Sequence, residues 1–302
     1  MGFFFEKTGM IRRMKKLRVF VRGLAIVGVM FTGFGFYYYC HNDDSLALTS
    51  YEVVSEKYKG SEEFRIVQLS DFHNHSLKYS DGDLLEKIAS LKPNVIVSTG
   101  DFIDNHTREE DFRRLETMVA DFEKRGIPFY YVDGNHERKA PAEITLREHT
   151  IFDKWGKNLY QKRINFGNGI QLSGVRDPAS KGVYEWAYTG VYEGDVPSQL
   201  GLLKESFDAN AYNILLCHRP ELFDLVEKSA YDLMFAGHTH GGQILMGKWA
   251  VAVYPWTKYV AGFYEKGASK LYVSRGLGES YNLPLRHNCA AEIVLTTIKS
   301  KA

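Results

Sequence analysis

Five short blocks hold the residue types that bind metals or move protons: "DFH" (71–73), "GDFID" (100–104), "GNHE" (134–137), "CH" (217–218) and "GHTH" (237–240). Carboxylate and imidazole together suit Mn²⁺, Fe or Zn²⁺, and a set without thiolate argues against structural zinc. The three cysteines, Cys40, Cys217 and Cys289, are scattered and form no CxxC, which excludes a disulfide framework and a cysteine zinc site. Singly, each block has an ordinary alternative. D-x-H can be a turn at a strand end, Gly100-Asp101 a turn, His218 a satisfied core histidine and Asp104 a helix cap. His238 and His240, flanking Thr239, leave a metal grip, a catalytic pair and a solvated loop all open. The joint occurrence carries the weight, because every block follows an apolar run.

Those runs are the elements that must position the chemistry. Strands are predicted at 64–70, 94–100, 128–134, 170–175, 212–217, 231–237, 250–254 and 270–276, short stretches bounded by Gly, Pro, Asn or Asp. Helices are predicted between them. One starts at an Asp81 cap and ends near Pro93; another has a Thr107–Glu110 capping box and stops at Gly126. In the second, Phe112, Leu115, Val119 and Phe122 form one apolar stripe. A short helix follows in "RPELFDLVEKSA" (219–230), while 176–200 has no clear period and is expected to be a loop or insertion. Strands alternating with helices indicate an α/β fold. In open α/β sheets ligands bind at the carboxyl ends of strands, which is where these polar residues fall. If the first strand continues to His73, alternation points Asp71 and His73 the same way and Phe72 the other.

The chain has 302 residues, 44% of them hydrophobic and 25% charged, and so has material for a sizeable core. Its net charge of +1 indicates no nucleic-acid footprint. The charge is uneven, however, with Lys7, Arg12, Arg13, Lys15, Lys16, Arg18 and Arg22 crowded into the first 22 residues against only Glu6. Behind them Gly23 to Cys40 holds 18 residues without a charge and ends in three tyrosines. As a helix it would rise roughly 27 Å, close to a bilayer core. The expectation is an uncleaved transmembrane anchor in residues 1–45, in preference to a cleaved signal peptide. The basic flank would stay cytoplasmic and residues 46–302 would be extracytoplasmic, in a single-pass protein of the cell membrane. Oligomeric state has no signature in the sequence.

The five blocks, in this order, resemble the calcineurin-like metallophosphoesterases over about residues 62–298, and "SRGLGESYNLPLRHNCAAEIVL" is similar to their bacterial membrane-associated branch. The resemblance implies a four-layer αββα sandwich and two divalent ions, with Mn²⁺ first choice and Fe or Zn²⁺ the alternatives. It implies that Asp71, His73 and His240 bind the first metal and Asn135, His218 and His238 the second, with Asp101 bridging. His136 would serve the leaving group, oriented by Asp104. Two cations about 3.5–4 Å apart need an anionic bridge, and together they turn a bridging water into hydroxide for in-line attack on phosphorus. Arg176, Arg275 and Arg286 are candidate phosphate contacts, because guanidinium matches phosphate bidentately. The expected activity is phosphodiester hydrolysis, with phosphomonoester hydrolysis and non-catalytic, metal-stabilised surface binding as alternatives. The anchor and the aromatic segments 184–188 and 249–256 suggest a lipid-linked substrate. An amidase or peptidase is disfavoured, since H-E-x-x-H and HxHxDH are absent.

Overall fold

The apolar runs become strands buried on both faces, and alternate residues of one strand enter different cores. A computed structural model describes residues 45–73, 79–178, 196–204, 207–247, 249–251, 253, 257–279, 283 and 285–301, with 16–18, 20–30, 32, 33, 35 and 37 in the amino-terminal part. Among these, β1 (Leu46–Ser55), β2 (Phe64–Leu69), β3 (Val95–Ser98), β4 (Phe129–Tyr131) and β5 (Lys157–Asn158) share one sheet. β6 (Arg163–Gly167), β7 (Ile170–Gly174), β8 (Tyr212–Leu216) and β9 (Leu233–Ala236) belong to a second. β10 (Leu245–Met246) and β11 (Trp249–Ala250) make a small hairpin. β12 (Gly262–Lys266) and β13 (Ser269–Val273) complete the second sheet, and β14 (Ala291–Ser300) returns to the first. The orders are β1-β14-β2-β3-β4-β5 and β12-β13-β9-β8-β7-β6. β2 to β5 run parallel, as do β7, β8, β9 and β13.

Three apolar clusters define four layers. Ile66, Val95 and Val97 of the first sheet meet Ile214, Leu216, Leu233 and Phe235 of the second. Their sequence neighbours Val67 and Ile96 face the other way, onto Leu84, Leu115 and Phe122 of the helices Asp81–Ser90 and Glu109–Lys124. On the opposite side Leu215, Met234 and Leu271 meet Leu200, Leu203 and Phe223 beneath the helices Val196–Lys204 and Phe223–Val226. Side chains of period two on strands covered on both faces produce this pattern.

Several boundaries differ from expectation. β1, β6, β12 and β14 arise where none of the predicted strands lies, and β1 pairs in parallel with β14 over its whole length. β1 alternates exposed with partly buried residues, which left it without an apolar run. Of the predicted strand 250–254, Ala250 lies in the hairpin strand Trp249–Ala250 and Val251 and Val253 lie in no strand, while 252 and 254–256, part of the aromatic segment 249–256, lie outside the described residues. Within 176–200, residues from Val196 onward are helical, and 179–195, including the aromatic segment 184–188, lie outside the described residues. The first helix is capped by Ser80, whose hydroxyl accepts from Asp83 N at 3.0 Å, and not by Asp81. In the second, the cap lies one residue later than predicted: Arg108 N donates to Asp111 at 2.7 Å.

Residues Met1–Asn42 and Asp43–Ala302 are separate units. In the first, the described residues are helical and exposed. Among the described residues no helix is long and apolar enough to cross a membrane, so the expected spanning helix is not found there. Residues 31, 34, 36 and 38–40 of that expected span lie outside them.

Phe235 is fully buried between the sheets. Phe235→Ala is expected to cost about 3–5 kcal/mol. Leu202→Ala, on the outer face of its helix and 54% exposed, should stay within about 0.5 kcal/mol. Urea denaturation monitored by tryptophan fluorescence distinguishes the two.

Candidate metal centre

The ends of β2, β3, β4, β8 and β9 converge, and the chain turns sharply as it leaves them. Asp71 (φ 48°), His73 (φ 45°), Asp101 (φ 58°), His238 (φ 73°) and His240 (φ 50°) all adopt left-handed backbone. β2 stops at Leu69. The common aim of Asp71 and His73 therefore comes from two left-handed turns and not from strand alternation, as expected above. Phe72 between them stacks on Phe102 in the helix-side core, ring centroids 5.3 Å apart.

Such conformations cost free energy for residues with a Cβ and persist where surrounding contacts over-determine them. Here those contacts are hydrogen bonds. Asp71 accepts from the Ser70 hydroxyl at 2.6 Å and from His238 N at 3.0 Å on each oxygen. Glu137 is buried and its carboxylate takes four backbone N–H groups: Asp101 at 2.9 Å, Phe102 at 2.6 Å, Ile103 at 3.2 Å and Gly134 at 2.8 Å. Asp101 Oδ1 in turn accepts from His136 N at 2.8 Å. The loops after β3 and β4 are thus clamped together, and Gly100 (φ 97°) packs so closely that a Cβ there would lie 2.3 Å from Gly134 N. Gln68, an amide amid apolar neighbours, ties the sheets together at this end by donating to Ala236 O at 2.9 Å and to the Thr99 hydroxyl at 3.1 Å.

The ligand atoms fall into two adjoining groups. Asp71, His73 and His240 each offer an atom within 4.8 Å of the others, as do Asp101, His218 and His238. His73 Nε2 lies 3.1 Å from His240 Nε2, and His240 Nε2 lies 3.5 Å from Asp71 Oδ1. His218 Nε2 is 3.2 Å from His238 Nδ1 and 3.1 Å from Asp101 Oδ2. The same Asp101 oxygen is 3.9 Å from His73 Nε2 and so lies between the groups. Two ring orientations are set from behind: His218 Nδ1 faces Thr99 O at 2.8 Å and His240 Nδ1 faces Gly278 O at 3.4 Å. With Nδ1 directed at a carbonyl, Nε2 is in each ring the nitrogen turned into the site. Lone pairs from buried imidazoles and carboxylates crowding one another are the donor set a divalent cation fits.

Protonation follows from burial and neighbours. Burial, then His240, pushes the His73 pKa well below the usual imidazole range. Burial also lowers His238, helped by Arg219, and lowers His240. Burial opposes a charge on His218 as well, yet Asp101 beside it pushes that ring up to about 10. Burial alone would raise Asp101; His218 and His136 hold it well below the carboxylate range.

His136 lies at the edge of the site, its side chain 38% exposed, with Nε2 4.0 Å from Asp101 Oδ2. It lines an open cleft of about 190 Å³ together with Asp101, Asn135, His238 and His240. Asp104 accepts from His106 N at 2.7 Å, a local turn, while its Oδ2 lies 3.8 Å from His73 Nδ1. Asp104, His73 and His136 each have an atom within 4.8 Å of the others, so Asp104 stands beside two rings instead of one.

The candidate phosphate arginines are spread more widely. Arg275 is committed to buried Glu292, with Nη2 at 3.1 Å from Oε1. Arg286 is buried and donates to the carbonyls of Cys289, Arg275 and Gly278, holding the loop that supports Asp71. Arg176 rests over the Tyr160 ring at 5.2 Å. The arginine that touches the centre is Arg219, with Nη1 2.8 Å from His238 Nε2 and Nη2 3.2 Å from Asn135 Oδ1. Its partner Asp177, at 2.8 Å, follows β7. Two signals could have found them: Asp177 is one more acid at a strand end, and Arg219 adjoins His218.

The calcineurin-like phosphoesterase family model matches residues 64–242, which carry all five blocks. The chain belongs to the calcineurin-like phosphoesterase family. The metallophosphoesterase YkuE of Bacillus subtilis is 27% identical, with 95% of this chain and 99% of that protein covered. The metallophosphoesterase Cj0846 of Campylobacter jejuni is 31% identical over 79% of this chain, which spans 60% of that protein. Phosphodiesterase YaeI of Escherichia coli is 26% identical over 92% of this chain and 97% of its own length. The phosphoesterase family uses divalent metals, and the two donor groups described above are where this member would hold them.

Two outcomes follow for this phosphoesterase centre. Glu137→Gln replaces one oxygen with an N–H donor facing backbone N–H groups. At about 1–3 kcal/mol per orphaned group, thermal unfolding should show a loss of roughly 2–6 kcal/mol. Metal uptake should also be pH-dependent. His218, charged below about 10, must release its proton to become a ligand, so affinity falls as pH drops. Equilibrium dialysis between pH 8 and 6 should show a loss of about one decade per pH unit for each proton displaced; a flat profile would mean that His218 is already neutral.

Proposed function

We propose that this chain is a two-metal phosphodiesterase in which Asp71, His73 and His240 hold one ion, Asn135, His218 and His238 the other, and Asp101 bridges them. One observation carries the reading: a single buried oxygen, Asp101 Oδ2, lies 3.1 Å from His218 Nε2 and 3.9 Å from His73 Nε2. Bound there, divalent ions, Mn²⁺ by preference, would supply Lewis acidity toward phosphoryl oxygens and bring the pKa of a water toward neutrality.

The chain's own residues do the rest. Asp101 contributes its carboxylate between the two groups, its other oxygen held by His136 N. The same bond ties the His136 backbone to the bridge, which keeps the base of its side chain beside the centre. Because His136 faces the open cleft, its Nε2 would hold a proton for the departing oxygen, which needs one as the ester bond breaks. Asp104, with an atom within 4.8 Å of both His73 and His136, would help to orient the outer ring.

A diester substrate is favoured by the likeness to phosphodiesterase YaeI. We further propose that the protein works at a membrane on a lipid-linked phosphodiester. The basic residues up to Arg22 and the uncharged stretch 23–40 support this placement, with residues 46–302 outside the cytoplasm. Retention of the chain in the membrane pellet after an alkaline carbonate wash is expected, and its release would count against the anchor.

The purified chain, stripped and reloaded with Mn²⁺, should hydrolyse bis-p-nitrophenyl phosphate faster than p-nitrophenyl phosphate. No metal-dependent turnover of either ester, at full metal content, would sink the enzyme reading, and a monoester preference would make it a phosphatase. His136→Ala is expected to retain metal and lose about 10²–10⁴-fold in kcat. Loss of metal in that variant would reassign His136 as a ligand.

A further inference from the structure

The loop after β8 brings a fixed positive charge into contact with one half of the centre. Arg219 is buried, with a side chain 1% exposed, and its Nε pairs with the fully buried Asp177 at 2.8 Å. Its terminal nitrogens reach His238 Nε2 at 2.8 Å and Asn135 Oδ1 at 3.2 Å. A guanidinium donates and cannot accept, so each contact engages a lone pair on a residue assigned to the second ion. The first half has a different surrounding. Asp71 accepts from neutral donors, the Ser70 hydroxyl and His238 N, and His240 Nδ1 faces the Gly278 carbonyl. Arg286 stands near this half too, but one carbonyl removed: it donates to Gly278 O, which His240 Nδ1 faces, and to the carbonyls of Cys289 and Arg275.

We propose that Arg219 makes the two metal positions unequal, so that the Asp71–His73–His240 half fills first and the Asn135–His218–His238 half is the weaker, later-filling one. This rests on the two-ion reading given above. A cation entering the second half meets a guanidinium already engaged with two of its ligands, in an interior where little solvent screens the repulsion. Asn135 Oδ1, the amide oxygen of that half, must serve the arginine and the ion at once. Asp177 offsets the arginine charge from the far side, which is what permits its burial, and leaves the contacts to Asn135 Oδ1 and to His238 Nε2, the ring nitrogen opposite the one that faces His218, in place. Since both ions are required for the reaction proposed, the consequence is a hydrolase whose activity follows the concentration of free metal through its second site.

Equilibrium dialysis of the stripped full chain with Mn²⁺, read by metal analysis and by electron paramagnetic resonance, tests this. One equivalent should give the spectrum of an isolated ion, with the spin-coupled pair appearing only in a second step at least about tenfold weaker. His240→Ala should remove the tight step and His218→Ala the weak one. Joint replacement of the buried pair, Arg219→Met with Asp177→Asn, leaves neither charge stranded and should tighten the second step by about tenfold or more. Asp177→Asn alone leaves the arginine charge uncompensated and should weaken it, a change of opposite sign that a purely structural role does not produce. Equal affinities in the parent chain, the reverse order of filling, or a second step left unchanged or weakened by the paired replacement would overturn the proposal. Failure to bind Mn²⁺ at all would instead overturn the two-ion reading beneath it.

Discussion

The structure depends on a backbone constraint at the strand ends. Asp71, His73, Asp101, His238 and His240 must all hold positive φ at once for their side chains to meet. None is a glycine, so each residue is held against its own preference. The restraint is a set of buried carboxyl groups accepting from backbone N–H groups. Glu137 clamps the turns after β3 and β4, and Asp71 clamps the turn after β9 to the end of β2. The centre is accordingly a product of loop hydrogen bonding as much as of its ligands.

Those clamps need rigid supports, which the double sandwich supplies. Strands buried on both faces cannot slip by one residue without exchanging the inter-sheet core for the helix-side core, so the register is well determined. Ile66 and Val67 illustrate this, since a slip would carry each into the other's layer. Register in turn fixes how far each strand end projects, and so which polar residue arrives at the centre. Gln68 is the exception among the apolar positions; it meets Ala236 O and Thr99 and joins the two sheets at the height where their ends must face each other.

Long cationic side chains are settled by the same geometry. Arg275 and Arg286 lie well beyond the last site block in sequence, and their donors go to Glu292 and to loop carbonyls, where they brace the turn that carries Gly276 and Gly278 against Asp71. Arg219 instead crosses from β8 to the residues following β4 and β9. Which arginine touches ligands depends on the path from its Cα, and Arg219, next to His218 in the sequence, is the one whose path leads to them.

The sequence by itself determined the α/β class, most of the strands that carry the site and the set of residues brought together there. Apolar runs ending in Asp, Asn or His are a local pattern, and the pairing of an apolar strand with a polar terminus survives any arrangement in three dimensions. It did not reveal β1 or β14. Their alternating or mixed residues gain their apolar surroundings only from each other and from β2, a pairing of opposite ends of the chain. Nor did it reveal the left-handed turns, the fourfold acceptor role of Glu137, or the reach of Arg219. Each of these depends on contacts between residues far apart in the chain or on backbone angles that no side-chain pattern encodes. The place of Asp101 between two donor groups was implied by the resemblance of the blocks, and only the tertiary structure decided that one of the two groups has a buried arginine against it.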